Sequence, residues 1–294
     1  MNNYKEYKDL LSNTYDEVVI YLLNKYGPAI DDYFRESSYQ RFMNGEIKNI
    51  TTGKASRTSE GLYCHHIDQN KWLNISDQNF VKKYNIPFES QRRDKLVYCD
   101  LIEHTILHVL IAKGTSSKFG LPGYEVYLRT LIEQWYLEEI KPSPEWMQRC
   151  FHKSFLEPQI AFNLLKEMQR QLGESYYNTL EDYYDTQKKI EEERRKRQQQ
   201  QKQREIDVRN HRIEHAKQLH HKSPRADIVT ASYLIRIGES DMMDFSDNHT
   251  TFKEYDSKMK KYTKEKILDE LITYIENGLA LTVGDESEEM QEDY

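Results

Sequence analysis

Cysteine is scarce: three residues, Cys64, Cys99 and Cys150, in a chain of 294. That number cannot build a disulfide framework and fits reduced thiols inside a cell. Long apolar runs are also missing, and none approaches the ~20 residues needed to span a bilayer. The opening Met1-Asn2-Asn3-Tyr4-Lys5-Glu6 lacks the basic-then-apolar plan of a secretory leader. No membrane association and a cytoplasmic location are therefore expected. The glycine-containing stretch from Gly114 to Gly123 lacks the Gly-Lys-Ser/Thr ending of a P-loop, which excludes that kind of phosphate cradle. Only 37% of residues are hydrophobic against 31% charged, so a modest core is expected in parts of the chain only.

What is present is a concentration of histidine between Gly61 and Lys113, where four of the ten histidines lie. His104 and His108 are four apart, a spacing that stacks two side chains on one helical face. Asp100 with Glu103 three residues later has the capping-box spacing that starts a helix, and Gly114 can end it. Leu101, Ile102, Ile106, Leu107, Val109, Leu110 and Ile111 make this helix apolar nearly all round, hence buried. Imidazoles on a buried helix need a partner, because an unsatisfied polar group in an apolar setting costs several kcal/mol. A divalent cation would satisfy both. His65 and His66 sit in a short extended run, Leu62 to Ile67, where neighbours point to opposite faces, so the two have different jobs. Leu96 to Cys99 reads as a second strand. The order is strand, strand, helix, with a further short helix expected over Ser76 to Tyr84.

In these residues the chain resembles the HNH, or ββα-metal, nucleases, most closely the colicin type that closes its motif with His-x-x-x-His. The resemblance covers about residues 61–113. It implies His65, His104 and His108 as ligands of one divalent ion (zinc, magnesium, manganese or nickel), and His66 as the general base that activates water. The family's middle Asn falls on Lys95, an ammonium with three donors and no acceptor. Lys95 is expected to contact a phosphate while another group orients His66. The function implied is a metal-dependent endonuclease acting on nucleic acid, DNA first, in a phage or mobile-element setting by analogy. The alternative is a catalytically impaired scaffold that works as a protein-binding factor, an inhibitor or assembly component in host–phage conflict.

The expected fold class is α+β and mostly helical, with the ββα-metal core embedded in helices. Residues 1–45 read as N-terminal helices (one over residues 4–25, another over Ala29 to Phe42 with Ile30, Tyr33 and Phe34 inward), and 46–175 as the core with a helical bundle. Bundle helices are expected over Tyr124 to Glu139, Pro144 to Ser154 with Pro144 at the first helical position, and Pro158 to Leu172. Their aromatic residues, Tyr127, Trp135, Trp146, Phe151, Phe155 and Phe162, read as core. Residues 176–222 form a charged helical arm with Glu-to-base pairs four apart and no apolar residue from Glu191 to Glu205. His211 and His215 read as helix-surface residues. Residues 223–294 form a small helical domain ending in an acidic tail. Lys and Arg against Asp and Glu give +2 over residues 41–150 and −8 over 221–294. Lys82, Lys83, Arg92, Arg93, Lys113 and Lys118 are the expected nucleic-acid contacts. The arm and the acidic C-terminus are left for a protein partner or a homodimer.

Overall fold

The computed structural model describes residues 2–236 and 251–278, mostly helical with one small sheet. The chain divides into two compact units, Met1–Asp185 and Thr186–Tyr294. In the first, strands β1 (Tyr63–His66) and β2 (Leu96–Cys99) pair antiparallel, with His65 opposite Val97 and His66 opposite Leu96. Alternation along a strand divides these residues between two faces. Val97 and Cys99 join the main core of the unit, while Leu96 and Tyr98 join a second cluster with Ala29, Ala55 and Leu62. The sheet is covered on both sides, which explains why β2 is entirely buried.

Helix α5 (Leu101–Gly114) follows β2 at once and runs through the middle of the core. The expected capping box forms: Asp100 accepts from the Glu103 amide at 2.9 Å, and Glu103 accepts from the Asp100 amide at 2.8 Å. Glu103 is fully buried, so its charge needs a partner, and Lys25 supplies one at 2.7 Å. Tyr7 donates to Asp100 at 2.8 Å. Both partners come from the N-terminal helices, α1 (Asn2–Leu11) and α2 (Tyr15–Tyr26), which thereby clamp the start of α5.

The N-terminal region departs from its sequence reading in two places. The single helix expected over residues 4–25 is broken at Ser12 and Asn13, because Thr14 and Glu17 form a capping box that starts α2 afresh. The helix expected from Ala29 is confined to α3 (Glu36–Met43). Residues before it are spent on other hydrogen bonds: the amide of Tyr33 donates to the Gln91 carbonyl at 2.8 Å and that of Arg35 to the Thr51 carbonyl at 2.9 Å. Phe34 points inward as expected, but Ile30 is 62% exposed. Helix α4 (Gln78–Tyr84), capped by Asp77, fills the expected place between the strands.

After α5 the chain forms one helical run from Leu121 to Leu137 in which two stretches, Tyr124–Leu128 and Glu133–Leu137, widen to π-helix. Helices Glu145–Lys153 and Pro158–Gln171 complete the unit. Pro144 is extended and precedes its helix rather than opening it. Trp135, Phe151 and Phe162 are core as expected, whereas Tyr127 and Phe155 are about half exposed.

The helix Leu180–Lys217 starts in the first unit, where Tyr183 is part of the core, and its portion in the second unit carries the expected pairs Glu191 with Arg195 and Glu193 with Arg197. Ile206 and Val208 stay exposed; burial starts at Ile213 and Ala216, which pack against Ala231, Ile235, Leu271 and Tyr274. His211 and His215 are exposed. Helices Arg225–Arg236 and Lys264–Gly278 match the apolar segments read from the sequence, and Phe252–Met259, capped by Thr251, adds an unanticipated one. The acidic tail from Glu286 lies outside the described residues.

Candidate metal centre

Three imidazoles converge between β1 and α5. His65 reaches from the sheet face that also carries Val97, and His104 and His108 project from one side of α5. Their ring centroids are 5.0–5.5 Å apart. One nitrogen from each lies within 4.8 Å of the others. Among the described residues this is the one histidine, cysteine or carboxylate group that could hold a metal ion.

Hydrogen bonding fixes which nitrogen faces the centre at two of the three. The Tyr15 hydroxyl donates its proton to the Ile67 carbonyl at 2.8 Å, so towards His65 Nε2, 3.0 Å away, its oxygen accepts. His65 therefore carries its proton on Nε2 and a lone pair on Nδ1. That Nδ1 is buried without a hydrogen-bond partner. His108 gives its Nδ1 proton to the Gly120 carbonyl at 3.0 Å, which leaves Nε2 as the lone pair. His104 also has a buried Nδ1 without a partner. Burial pushes all three imidazoles below the ordinary histidine range, His108 to about 4, and at His65 and His104 neighbouring histidines add to the effect. They are neutral near pH 7, the state a ligand must have. Orphaned buried nitrogens on neutral rings fit a bound divalent cation.

His66 points to the other face of β1, against the ring of Tyr33 at 4.4 Å. Its Nε2 lies 3.0 Å from Oε1 of Gln91. Gln91 is fully buried, and its amide nitrogen donates to the Ile75 carbonyl at 3.0 Å, which fixes the amide so that the oxygen faces His66. His66 must then donate from Nε2 and hold its lone pair on Nδ1. Burial lowers it to about 4 against the opposing effect of the Gln91 hydrogen bond. Gln91 is thus the orienting group the sequence left unnamed. Lys95 directly precedes Leu96, the strand partner of His66, and does not hydrogen-bond His66. It is half-buried in the turn before β2, and its charge acts with that of Lys71 on Asp68. Burial would raise the Asp68 carboxyl, but hydrogen bonds from Lys71 at 2.7 Å and Ser90 at 2.9 Å outweigh it and hold Asp68 low.

The glycine-containing stretch after α5 is a collar for His108. Gly120 supplies the carbonyl that holds Nδ1, and its positive φ of 76° is one that glycine adopts freely. Gly123 has ordinary helical angles and is needed for room: a Cβ there would fall 2.4 Å from Cε1 of His108. A cleft of about 450 Å³ opens beside His108, walled by α4, by the segment Gln69–Asn74 and by the π-helical turn after Gly123.

Lys82, Lys83, Arg92, Arg93, Lys113 and Lys118 are all exposed, and none lines the cleft. Arg92 faces Glu36 at 3.9 Å, Lys113 donates to Gln171 at 3.0 Å, and Lys82 lies over the Phe42 ring. Tyr15, Gln91, Gly120 and Gly123 are the site residues that sequence reasoning missed. No protein-family model matches the chain, and no curated protein or solved structure is detectably similar to it.

Proposed function

We propose that this chain is a metal-dependent endonuclease of the HNH type that hydrolyses phosphodiester bonds in nucleic acid, DNA first. The observation that carries the reading is the three-histidine centre, with the next residue of the strand, His66, locked by Gln91 into the tautomer a general base needs. Three protein ligands with neutral rings suit a catalytic rather than a closed structural site. When bound, a divalent ion (zinc, magnesium, manganese or nickel) supplies Lewis-acid stabilisation of charge on the scissile phosphate and its leaving oxygen.

The chain's own residues do the rest. His66 takes a proton from the attacking water on Nδ1, and the Gln91 carbonyl stabilises the imidazolium that results. Tyr15 and Gly120 hold His65 and His108 in ligand-ready tautomers. Lys95 offers an ammonium for a phosphate, and the exposed lysines and arginines meet the backbone further out. The non-cutting alternative draws support from Lys95 standing where an orienting side chain was expected and from the large mass of chain outside the site; the hydrogen bond from His66 to Gln91 answers the first of these and not the second.

Plasmid nicking by the full chain with Mg²⁺, Mn²⁺, Ni²⁺ or Zn²⁺, beside His66→Ala, tests the proposal. Metal-dependent cutting that disappears in the variant is expected. Absence of cutting with every metal would favour the protein-binding scaffold.

A further inference from the structure

The cleft beside His108 has a lining unlike that of a phosphate groove. Its walls include the rings of Trp72, Phe80 and Tyr127 and the aliphatic Val126, with the amides of Gln69 and Asn74 among them. No lysine, arginine, aspartate or glutamate contributes. Tyr127 and Val126 are 48% and 79% exposed, so two apolar residues are held at its mouth where solvent would otherwise favour polar ones. At about 450 Å³ the cleft is in the size range of small-ligand sites. It adjoins the metal centre, because His108 is both a member of the histidine cluster and part of the cleft wall.

We infer that this cleft takes an unpaired nucleobase of the nucleic-acid strand whose phosphate lies at the histidine centre. The inference rests on the endonuclease reading and specifies its substrate class. An uncharged lining with the rings of Trp72, Phe80 and Tyr127, aliphatic Leu73, Pro122 and Val126, and two amides suits a flat neutral ring that has hydrogen-bonding edges; it does not suit a phosphate. Aromatic side chains stack on bases without strong sequence preference, and amides can bond the edges of a base that has left its stack. Bases in an intact duplex are not available to such a cleft, so the substrate is single-stranded, or it surrenders one nucleotide from the helix at the cost of unstacking.

The test separates base binding from cleavage. Fluorescence anisotropy of the full chain in EDTA, where cutting cannot occur, is measured with a labelled single strand of mixed sequence as DNA and as RNA, an abasic strand of the same length, and a blunt duplex. Either mixed-sequence strand should bind roughly tenfold or more tighter than the abasic one. Trp72→Ala should remove most of that difference while leaving abasic binding alone. Because Trp72 also packs against the Phe34 and Phe88 cluster, the exposed Val126→Glu serves as a second variant, expected to weaken base-dependent binding without unfolding the chain. Equal binding of mixed and abasic strands, or equal losses for strand and duplex in both variants, would overturn the inference. If plasmid nicking is present in that case, the endonuclease reading survives and the base site alone is lost. Neither binding nor nicking would remove both.

Discussion

The hydroxyl of Tyr15 sits 3.0 Å from Nε2 of His65 with its proton already committed to the Ile67 carbonyl, so a residue fifty positions away decides which nitrogen of His65 can bind a metal. Outer-shell partners of this kind are typically worth 10–100-fold in metal affinity. Tyr15→Phe should weaken zinc or manganese binding by roughly that factor while leaving the circular dichroism spectrum unchanged. Titration calorimetry of wild type and variant measures it; equal affinities would mean His65 is held by something else.

Gly123 makes a steric prediction. Its added Cβ would fall 2.6 Å from Nδ1 of His108 as well as 2.4 Å from Cε1, closer than unbonded atoms approach. Since the backbone there is ordinary helix, Gly123→Ala should gain helix propensity and still lose metal affinity, because the ring must move. Gly114→Ala, which would meet nothing within 4 Å, is the matched control. Thermal melts with and without zinc separate the two: the metal-dependent rise in melting temperature should shrink in Gly123→Ala only.

Gln91 is expected to affect rate and not metal binding. Gln91→Leu removes the acceptor that fixes His66, and nicking should fall by roughly 10²–10³-fold, within the range general-base assistance contributes. Gln91→Glu, with an acceptor at the same distance, should recover part of the loss. Zinc affinity should be the same in all three chains, and a parallel loss of zinc would show that Gln91 acts through the fold.

Asp100 yields a pH prediction remote from the histidines. Burial first, and the nearby Glu103 charge second, push its carboxyl up to about 7, against hydrogen bonds from Glu103 and Tyr7 and the charge of Lys25. An unfolded carboxyl titrates near 3.9. The folded state therefore holds a proton the unfolded state has released, and Asp100's contribution to stability falls as pH rises from about 4 to 7. The depressed histidines act in the opposite sense, gaining stability as pH rises from about 4 towards 6.5. The difference between wild type and Asp100→Asn isolates the carboxyl. In urea titrations at several pH values, wild type should lose stability relative to the variant as pH increases across that window; a constant offset would contradict the shift.

Much of the centre was legible because its signals are local. The capping box at Asp100, the apolar run of α5, the four-residue spacing of His104 and His108 and both strands are written in short stretches. Long-range partners were not. Gln91 meets His66 across 25 residues and Tyr15 meets His65 across 50, and neither belongs to a periodic pattern that would single it out. The break before α2 did leave a sign, since Thr14 and Glu17 have capping-box spacing, but an apolar period running through Leu10, Leu11 and Val18 concealed it. Ile30 was misread because helix periodicity was extended over a segment whose amides pair with Gln91 and Thr51.

The two π-helical turns after Gly123 add one more consequence. Each holds a surplus residue relative to an α-helix of equal rise, and in an α-helix every residue turns the chain by about 100°. Deleting a single position from Tyr124–Leu128 would let that turn tighten to ordinary α-helix with the later residues still in phase, while the side chains inside the turn, Tyr127 among them, would be re-aimed. The aromatic wall that Tyr127 lends to the cleft is therefore guarded by chain length as much as by residue identity: a homologue one residue shorter there could keep the same letters and lose the wall.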